Sequence, residues 1–189
     1  MAKFDVGAAL RWARFDPGAP LTRRRDSALP FVGAAALPGS PLLLDTGVYI
    51  HQMQGRAPTV VEDLVGLRQI NHSTVAIQEL MHAVGVRDPR DARTPAAISS
   101  IEKQISAMPD HRILAPDAEV LGRAAILSGM LCRLQGYAKD DRHKAHQDCV
   151  LFLQAQKLGF AVLTANIVEF DYLLQLLPRG RVLFYRTNS

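Results

Sequence analysis

From Pro41 onwards, the sequence alternates short apolar runs with longer segments in which apolar residues recur every three or four positions. The short runs have the length of buried strands, and the longer segments have the periodicity of amphipathic helices. Strands that alternate with helices favour a parallel sheet covered by helices on both faces. We therefore predict an α/β fold of three α/β/α layers with a short, mostly parallel central sheet of about five strands. The predicted strands lie at residues 42–44, 69–72, 111–114, 160–164 and 181–185.

Helix signals fill the intervals between these strands. Thr59-Val60-Val61-Glu62 has the pattern of a capping box, and Thr94-Pro95 places a proline in a first helical turn. Ser73 or Thr74 and Asp117 are candidate caps of two further helices. The predicted helices begin near residues 59, 74, 94, 118, 145 and 167.

The first 40 residues differ from the rest of the chain. They contain six basic and three acidic residues, a net charge of +3, whereas the whole chain has a net charge of +4. They also include the triplet Arg23-Arg24-Arg25 and stretches rich in Pro and Gly. We predict a basic N-terminal extension or linker over residues 1–40 and one folded domain over residues 41–189. A basic segment can attract an acidic partner or nucleic acid, although a solvated tail is the simpler interpretation.

Composition excludes several classes of protein. The hydrophobic fraction of 48% and the charged fraction of 21% are ordinary for a globular protein. No apolar run approaches the ~18 residues that a membrane-spanning helix needs. Two cysteines provide no disulfide framework, and Asp5 and Arg11 interrupt the short apolar patch near the N-terminus. We expect a cytoplasmic protein that does not span a membrane.

Acidic side chains gather near the ends of the predicted strands, where parallel sheets bind their ligands. Asp45 follows the first strand, Glu79 lies in the helix after the second, and Asp148 interrupts an apolar helix. Asn166 and Glu169 follow the fourth strand. Each residue has an ordinary structural explanation by itself. Together they predict a crevice of mutually repelling carboxylates that needs protons or cations, and hard oxygen ligands suit Mg²⁺ or Mn²⁺.

Four segments in register also resemble the motifs of a known family. They are LLDTGVYI at 43–50, STVAIQEL at 73–80, DCVL at 148–151, and VLTAN at 162–166 with Glu169 after it. They are similar to the motifs of PIN domains, in particular the VapC-type ribonucleases of toxin–antitoxin pairs. The segment LAPD at 114–117 is similar to the middle of that domain, and the resemblance covers about residues 41–186.

The resemblance implies an endoribonuclease that hydrolyses RNA with the help of Mg²⁺ or Mn²⁺. It implies Asp45, Glu79, Asp148 and Glu169 as catalytic acids. Asn166 would join the first three as a metal ligand. Many family members have Asp at one or both of positions 166 and 169, so the identity of the fourth acid stays open, with Asp171 as a rival.

Further residues are assigned roles around these acids. Thr46, Ser73 and Thr164 match polar positions that, by resemblance, orient carboxylates or water. Arg142 and Lys144, just before Asp148, are candidate contacts for RNA phosphates. Arg133 and Lys139 are alternatives to them.

The resemblance also implies partners: an RNA substrate, a cognate antitoxin and a second copy of the chain in a homodimer. Two alternatives remain. His143, His146 and Cys149 have a spacing that could place three zinc ligands on one helix face. The same fold with a weakened fourth acid could also serve as an RNA-binding or regulatory module without catalysis.

Overall fold

The five predicted strands form one sheet in the computed structural model, which describes residues 4–33 and 39–188. The strands are β1 (Leu42–Leu44), β2 (Ile70–Ser73), β3 (Ile113–Leu114), β4 (Ala161–Thr164) and β5 (Val182–Phe184). Their order in the sheet is β3-β2-β1-β4-β5, and every neighbouring pair is parallel. The prediction of a parallel five-stranded sheet is confirmed.

Eight α-helices are found among the described residues. They are α1 (Val6–Leu10), α2 (Thr46–Met53), α3 (Thr59–Leu67), α4 (Thr74–Gly85), α5 (Thr94–Ser106), α6 (Ala118–Gln135), α7 (Asp141–Leu158) and α8 (Ile167–Leu176). The sequence pattern did not predict α2, because Gly47 and the β-branched Val48 are weak helix formers. Tertiary packing holds α2 in place, since Val48 and Tyr49 are fully buried. Helix α7 begins four residues before the predicted start, because its first turn is entirely polar.

Each face of the sheet has its own apolar core. On β1, Leu43 packs among side chains of α6, α7 and α8. Its neighbours Leu42 and Leu44 point to the opposite face, where they pack with side chains of α2, α3, α4 and α5. This alternation confirms the three-layer α/β/α arrangement, because successive residues of a strand point to opposite faces of the sheet.

Helices α6 and α7 carry the middle of the chain across one face of the sheet and end in the same way. Gly136 and Gly159 cap them with φ values of +64° and +74°, a left-handed conformation that glycine adopts without steric cost. The cap of α7 returns the chain directly to β4. Asp148 is therefore held in the middle of a long helix that packs on the sheet.

Residues 4–33 lie against the domain instead of forming a solvated extension. Helix α1 packs on α6. Further along, the amide of Val32 donates to the carbonyl of Phe184 over 2.8 Å, and the amide of Phe184 donates to Pro30 over 3.0 Å. These bonds place the chain beside β5 and cover that edge of the sheet. The linker predicted up to residue 40 includes residues 34–38, which lie outside the described part.

No helix of residues 4–33 and 39–188 combines the length and the apolar character that a membrane span requires.

Candidate active site

The predicted acids meet where the order of the strands changes direction. Strand β1 has β2 on one side and β4 on the other, so a crevice opens at the carboxyl ends of β1 and β4. A cleft of about 840 Å³ lies there. Asp45, Glu79, Asp148 and Asn166 all line it, although they come from four different parts of the sequence. The tertiary structure thus brings together the proposed metal ligands.

Asp45 lies at the end of β1 and directly precedes α2. Its carboxylate accepts a hydrogen bond of 2.6 Å from the hydroxyl of Thr164, which ends the neighbouring strand β4. Burial raises the pKa of Asp45, whereas the bond from Thr164, the amides of Thr46 and Gly47, and the charge of Lys144 act in the opposite direction. The site therefore holds this carboxylate in one orientation but makes its negative charge costly.

Glu79 reaches the cleft from α4. Its carboxylate accepts a hydrogen bond from the hydroxyl of Thr46, the first residue of α2. Burial raises the pKa of Glu79, and the negative charge of Asp45 raises it further. Thr46 and Thr164 therefore each hold one carboxylate, as the resemblance implied.

Asp148 faces the same cleft from α7, where it is buried. The side-chain amide of Asn166 donates a hydrogen bond of 3.0 Å to its carboxylate. Burial raises the pKa of Asp148 well above its usual range, and the charges of Asp45 and Glu79 add to this effect. Like the other two acids, Asp148 is oriented by a neutral donor.

Positive charge is scarce around these three carboxylates. None of them forms an ion pair with a Lys, Arg or His among the described residues. Lys144 lines the cleft, and its charge lowers the pKa of Asp45, Glu79 and Asp148. One lysine cannot neutralise three ionised carboxylates, so the cleft must take up either protons or a further cation.

The donor set fits a hard divalent cation. Carboxylate oxygens are the ligands that Mg²⁺ and Mn²⁺ prefer, and the hydrogen bonds from Thr164, Thr46 and Asn166 each engage one oxygen of a carboxylate. No three His, Cys, Asp or Glu side chains within the described ranges lie close enough to enclose an ion by themselves. A cation here would therefore complete its coordination with water, as Mg²⁺ commonly does.

The structure separates the three candidates for the fourth acid. Glu169 accepts a hydrogen bond from the hydroxyl of Tyr137 and does not line the cleft, although its charge contributes to raising the pKa of Asp148. Asp171 is fully buried away from the cleft, where it binds Arg24, so it is wrong as a rival. Asn166 lines the cleft and orients Asp148.

Ser73 has a different role from the two threonines. Its hydroxyl accepts a hydrogen bond from the amide of Val75, which caps α4, and donates one of 2.6 Å to Gln154 on α7. Gln154 in turn donates to the carbonyl of Leu114 over 2.9 Å. Ser73 therefore joins β2 and β3 to α7 and contacts none of the acids directly. It supports the site through the packing of α4 and α7.

Of the predicted phosphate contacts, only Lys144 lines the cleft. Arg142 lies in the first turn of α7, is exposed, and donates to the carbonyl of Tyr137 over 3.4 Å. The alternative Arg133 pairs with Asp16 of residues 4–33, the N-terminal segment. Lys139 is exposed in the turn between α6 and α7.

Sequence reasoning missed several cleft residues, mostly polar ones. They are Gln78, His51, His82 and Gln147. His143 also lines the cleft, although the sequence suggested it only as a zinc ligand. Helical spacing was the available signal for His82, which lies three residues after Glu79 on α4. His51 is held by its Nδ1, which lies 2.8 Å from the hydroxyl of the buried Tyr185.

The zinc alternative finds no support in the geometry. His146 lies 3.2 Å from the hydroxyl of Ser128, and Cys149 is fully buried. Burial raises the pKa of the Cys149 thiol well above its usual range, which opposes the thiolate that zinc binds.

Comparison with protein-family models gives no match, and comparison with curated proteins gives none either. Solved structures do match. VapBC2 from Rickettsia felis, bound to a DNA fragment from its promoter, has a TM-score of 0.54 at 14% identity, covering 77% of this chain and 99% of that one. FitAcB from Neisseria gonorrhoeae has a TM-score of 0.54 at 20% identity, covering 76% and 96%. VapBC-5 from Mycobacterium tuberculosis, from a family of toxin–antitoxin systems, has a TM-score of 0.51 at 16% identity, covering 78% and 100%.

The fold and the position of the acidic cleft thus define a PIN-like α/β protein, with the fold found in VapBC-type structures. At these identities the likeness concerns the fold. About three quarters of this chain matches almost the whole of each of these solved chains. The remaining quarter has no counterpart in them.

Proposed function

We propose that this protein is an endoribonuclease that depends on Mg²⁺ or Mn²⁺. The observation that carries the proposal is the cleft itself, in which Asp45, Glu79 and Asp148 converge without an ion pair to any described residue. Such a concentration of negative charge repels an RNA phosphate unless a cation lies between them. The PIN-like fold and its motif resemblance support the same assignment.

The residues of the chain hold and orient the reacting groups. Asp45 and Asp148 would bind the cation, with Glu79 and the carbonyl oxygen of Asn166 as further oxygen donors. A bound divalent cation would lower the pKa of water and offset the charge of the scissile phosphate. Thr164, Thr46 and Asn166 fix the carboxylate orientations, and Lys144 supplies positive charge for the phosphate.

The proposed reaction is hydrolysis of a phosphodiester bond. A water molecule gives up a proton and attacks phosphorus in line with the bond to the 3′-oxygen. The new oxygen–phosphorus bond forms as the bond to the 3′-oxygen breaks, and that oxygen takes up a proton. The products are a 5′-phosphate and a 3′-hydroxyl.

The test is cleavage of a structured RNA by the purified chain, with Mg²⁺ or Mn²⁺ and with EDTA. We expect cleavage only with metal, and its loss in Asp45→Asn and Asp148→Asn. Asp63→Asn is the matched control, because Asp63 is exposed on α3 and does not line the cleft. Cleavage that survives both EDTA and Asp45→Asn contradicts the proposal.

We further propose that the protein is the toxin of a toxin–antitoxin pair. The solved structures that match include members of such systems, which supports this role. The antitoxin would inhibit cleavage by placing a basic side chain among the three carboxylates. We also propose a homodimer in the cytoplasm, as the motif resemblance implies.

Co-expression tests this role. A short reading frame beside the gene should encode a protein that co-purifies with this chain and suppresses its RNA cleavage. Size-exclusion chromatography with light scattering should show two copies of this chain. Cleavage that is unchanged by every neighbouring gene product argues against the toxin role and leaves the nuclease proposal standing.

A second candidate is a non-catalytic RNA-binding or regulatory module. This candidate is favoured by the two positions at which the family often has a further acid. Glu169 accepts a hydrogen bond from Tyr137, and position 166 carries an amide instead of a carboxylate. Metal titration separates the two, because the nuclease should bind Mn²⁺ through Asp45 and Asp148. A module without catalysis should cleave no RNA with or without the cation.

A further inference from the structure

A second groove lies apart from the acidic cleft, where the N-terminal segment crosses the domain. It has a volume of about 660 Å³, and it shares no lining residue with the cleft. Both sites contact α7, since Asp148 lines the cleft and Lys157 lines the groove. These two residues are about 14 Å apart along the helix axis. The groove is walled by aromatic and cationic side chains: Trp12, Arg14, Phe15, Arg123, Lys157 and Arg179.

The aromatic wall belongs to the N-terminal segment and is held by stacking contacts. The rings of Trp12 and Phe15 meet edge to face, with their centroids 5.3 Å apart. The guanidinium of Arg123 lies 5.0 Å from the centroid of Trp12, and that of Arg14 lies 5.0 Å from the centroid of Phe15. Neither ring is fully buried, so both present part of their surface to the groove.

The charges of the groove do not cancel. Glu119 forms ion pairs with both Arg123 and Lys157, and Lys157 also pairs with Asp117. Arg14 and Arg179 are exposed and form no ion pair with any described residue. Two arginines therefore remain available to an anion at the edge of an aromatic surface.

We propose that this groove binds a short stretch of single-stranded RNA outside the acidic cleft, an inference that rests on the proposed function. Arginines that contact phosphates and aromatic rings that contact bases form the common combination for binding single strands. The volume lies within the range of ligand pockets. An acidic peptide would satisfy Arg14 and Arg179 but would leave the exposed aromatic surface without a matching planar group.

The sole tryptophan of the chain provides the test, since Trp12 lines this groove and no other residue contributes indole fluorescence. The full chain is titrated in EDTA with a ten-nucleotide single-stranded RNA. We expect saturable quenching of the Trp12 emission. Inorganic phosphate at the same concentration of phosphate groups should produce little quenching.

Substitution of Arg14 and Arg179, which form no ion pair with a described residue, gives the second readout. In Arg14→Ala/Arg179→Ala, the affinity for RNA should fall about tenfold, and the slope of log K against log salt should become shallower by about 1.4. The control is Arg87→Ala/Arg90→Ala, which removes two exposed arginines from the turn after α4 and should change neither quantity. Thermal melting checks that both variants are folded.

Three results would overturn the inference. They are the absence of quenching by RNA, an equal loss of affinity in both double variants, and tighter binding of a polyglutamate peptide than of RNA. The last result would assign the groove to a protein partner. Because the titration contains no metal and needs no cleavage, its outcome is independent of whether the acidic cleft is a nuclease site.

Discussion

Arg24 of the N-terminal segment binds the fully buried carboxylate of Asp171 on α8 through two hydrogen bonds. Its backbone amide donates over 2.7 Å and its Nε donates over 2.6 Å. Gln175 adds a third donor to the same carboxylate over 3.0 Å. This contact has two consequences: it removes Asp171 from the candidates for metal binding, and it ties the N-terminal segment to the domain.

Replacement of Arg24 should therefore destabilise the whole domain. In Arg24→Ala, Asp171 keeps its bonds to the backbone amide and to Gln175 but loses its charged partner. We expect the free energy of unfolding to fall by about 2 kcal/mol, within the usual range for a hydrogen bond to a charged group, because Arg24 is itself partly exposed. Urea denaturation followed by circular dichroism measures the change.

The neighbouring Arg25 provides the matched control, because it is exposed. Arg25→Ala should leave the free energy of unfolding within about 0.5 kcal/mol of the parent value. The double variant Arg24→Ala/Asp171→Asn should regain part of the lost stability, since it no longer buries an uncompensated charge. Equal effects of the two single alanine substitutions would show that the Arg24–Asp171 contact contributes no stability.

The N-terminal segment should also resist proteolysis. Trypsin cleaves after arginine, and the triplet at 23–25 would be an early site in a solvated tail. Since Arg24 is bound to Asp171 and Leu21 accepts a hydrogen bond from Gln135, we expect slow cleavage there. Mass spectrometry of a time course checks this, and Arg24→Ala should accelerate the cut at Arg25. Rapid cleavage at residues 23–25 in the parent protein would contradict the packed position of the segment.

The metal-free protein should lose stability as the pH rises. Burial raises the pKa values of Asp45, Glu79 and Asp148 above those of the unfolded chain. The contribution of these three groups to the stability of the fold is therefore complete below their pKa values in the unfolded chain, near pH 4. It is lost as the pH rises through their pKa values in the folded protein. Thermal melting in EDTA over pH 4 to 8 should show this decline, and it should be shallower in Asp148→Asn.

Divalent cations should reverse that loss at neutral pH. Mn²⁺ at a hundred times its dissociation constant should stabilise the protein by about 2.7 kcal/mol, because it binds only the folded state. Differential scanning calorimetry of the parent protein and of Asp45→Asn/Asp148→Asn gives the comparison. An equal rise in melting temperature for both proteins would place the bound ion elsewhere.

The polar residues around the acids should divide into two groups. Thr164→Val removes the donor that holds Asp45, so RNA cleavage or metal affinity should fall by about tenfold to a hundredfold. Ser73→Ala removes a helix cap and a contact with Gln154, which should cost about 1 kcal/mol of stability while most activity remains. Initial rates and unfolding curves of both variants test this division, which fails if Ser73→Ala loses activity as strongly as Thr164→Val.

Lys144 and Arg142 should contribute unequally to RNA binding. Lys144 lines the cleft and its charge acts on all three acids, whereas Arg142 does not line it. We expect Lys144→Ala to weaken RNA binding several-fold and to reduce its salt dependence, while Arg142→Ala has a smaller effect. Fluorescence anisotropy with a labelled, cleavage-resistant RNA in Mg²⁺ measures both. The opposite ranking would mean that phosphates approach along the exposed start of α7.

Much of the site could be predicted from the sequence because its acids follow local signals. Asp45 comes directly after a run of three leucines, and the apolar repeat around Asp148 marks a helix that packs on the sheet. Parallel strands place their carboxyl ends at one edge of the sheet, and the pairing of β1 with β4, which the sequence did not predict, makes Asp45 and Asn166 neighbours. The placement of Asp45, Glu79, Asp148 and Asn166 around one cleft follows from that.

The sequence by itself determined the alternation of strands and helices, and through it the edge of the sheet where the acids would meet. Only the tertiary structure decided which polar groups bind each other. Periodicity is a property of neighbouring residues, whereas Arg24 and Asp171 are 147 positions apart and Ser73 and Gln154 are 81 positions apart. The bonds that commit Asp171 to the core, direct Ser73 away from the acids and attach the N-terminal segment exist because folding brings those distant groups together and excludes water from them.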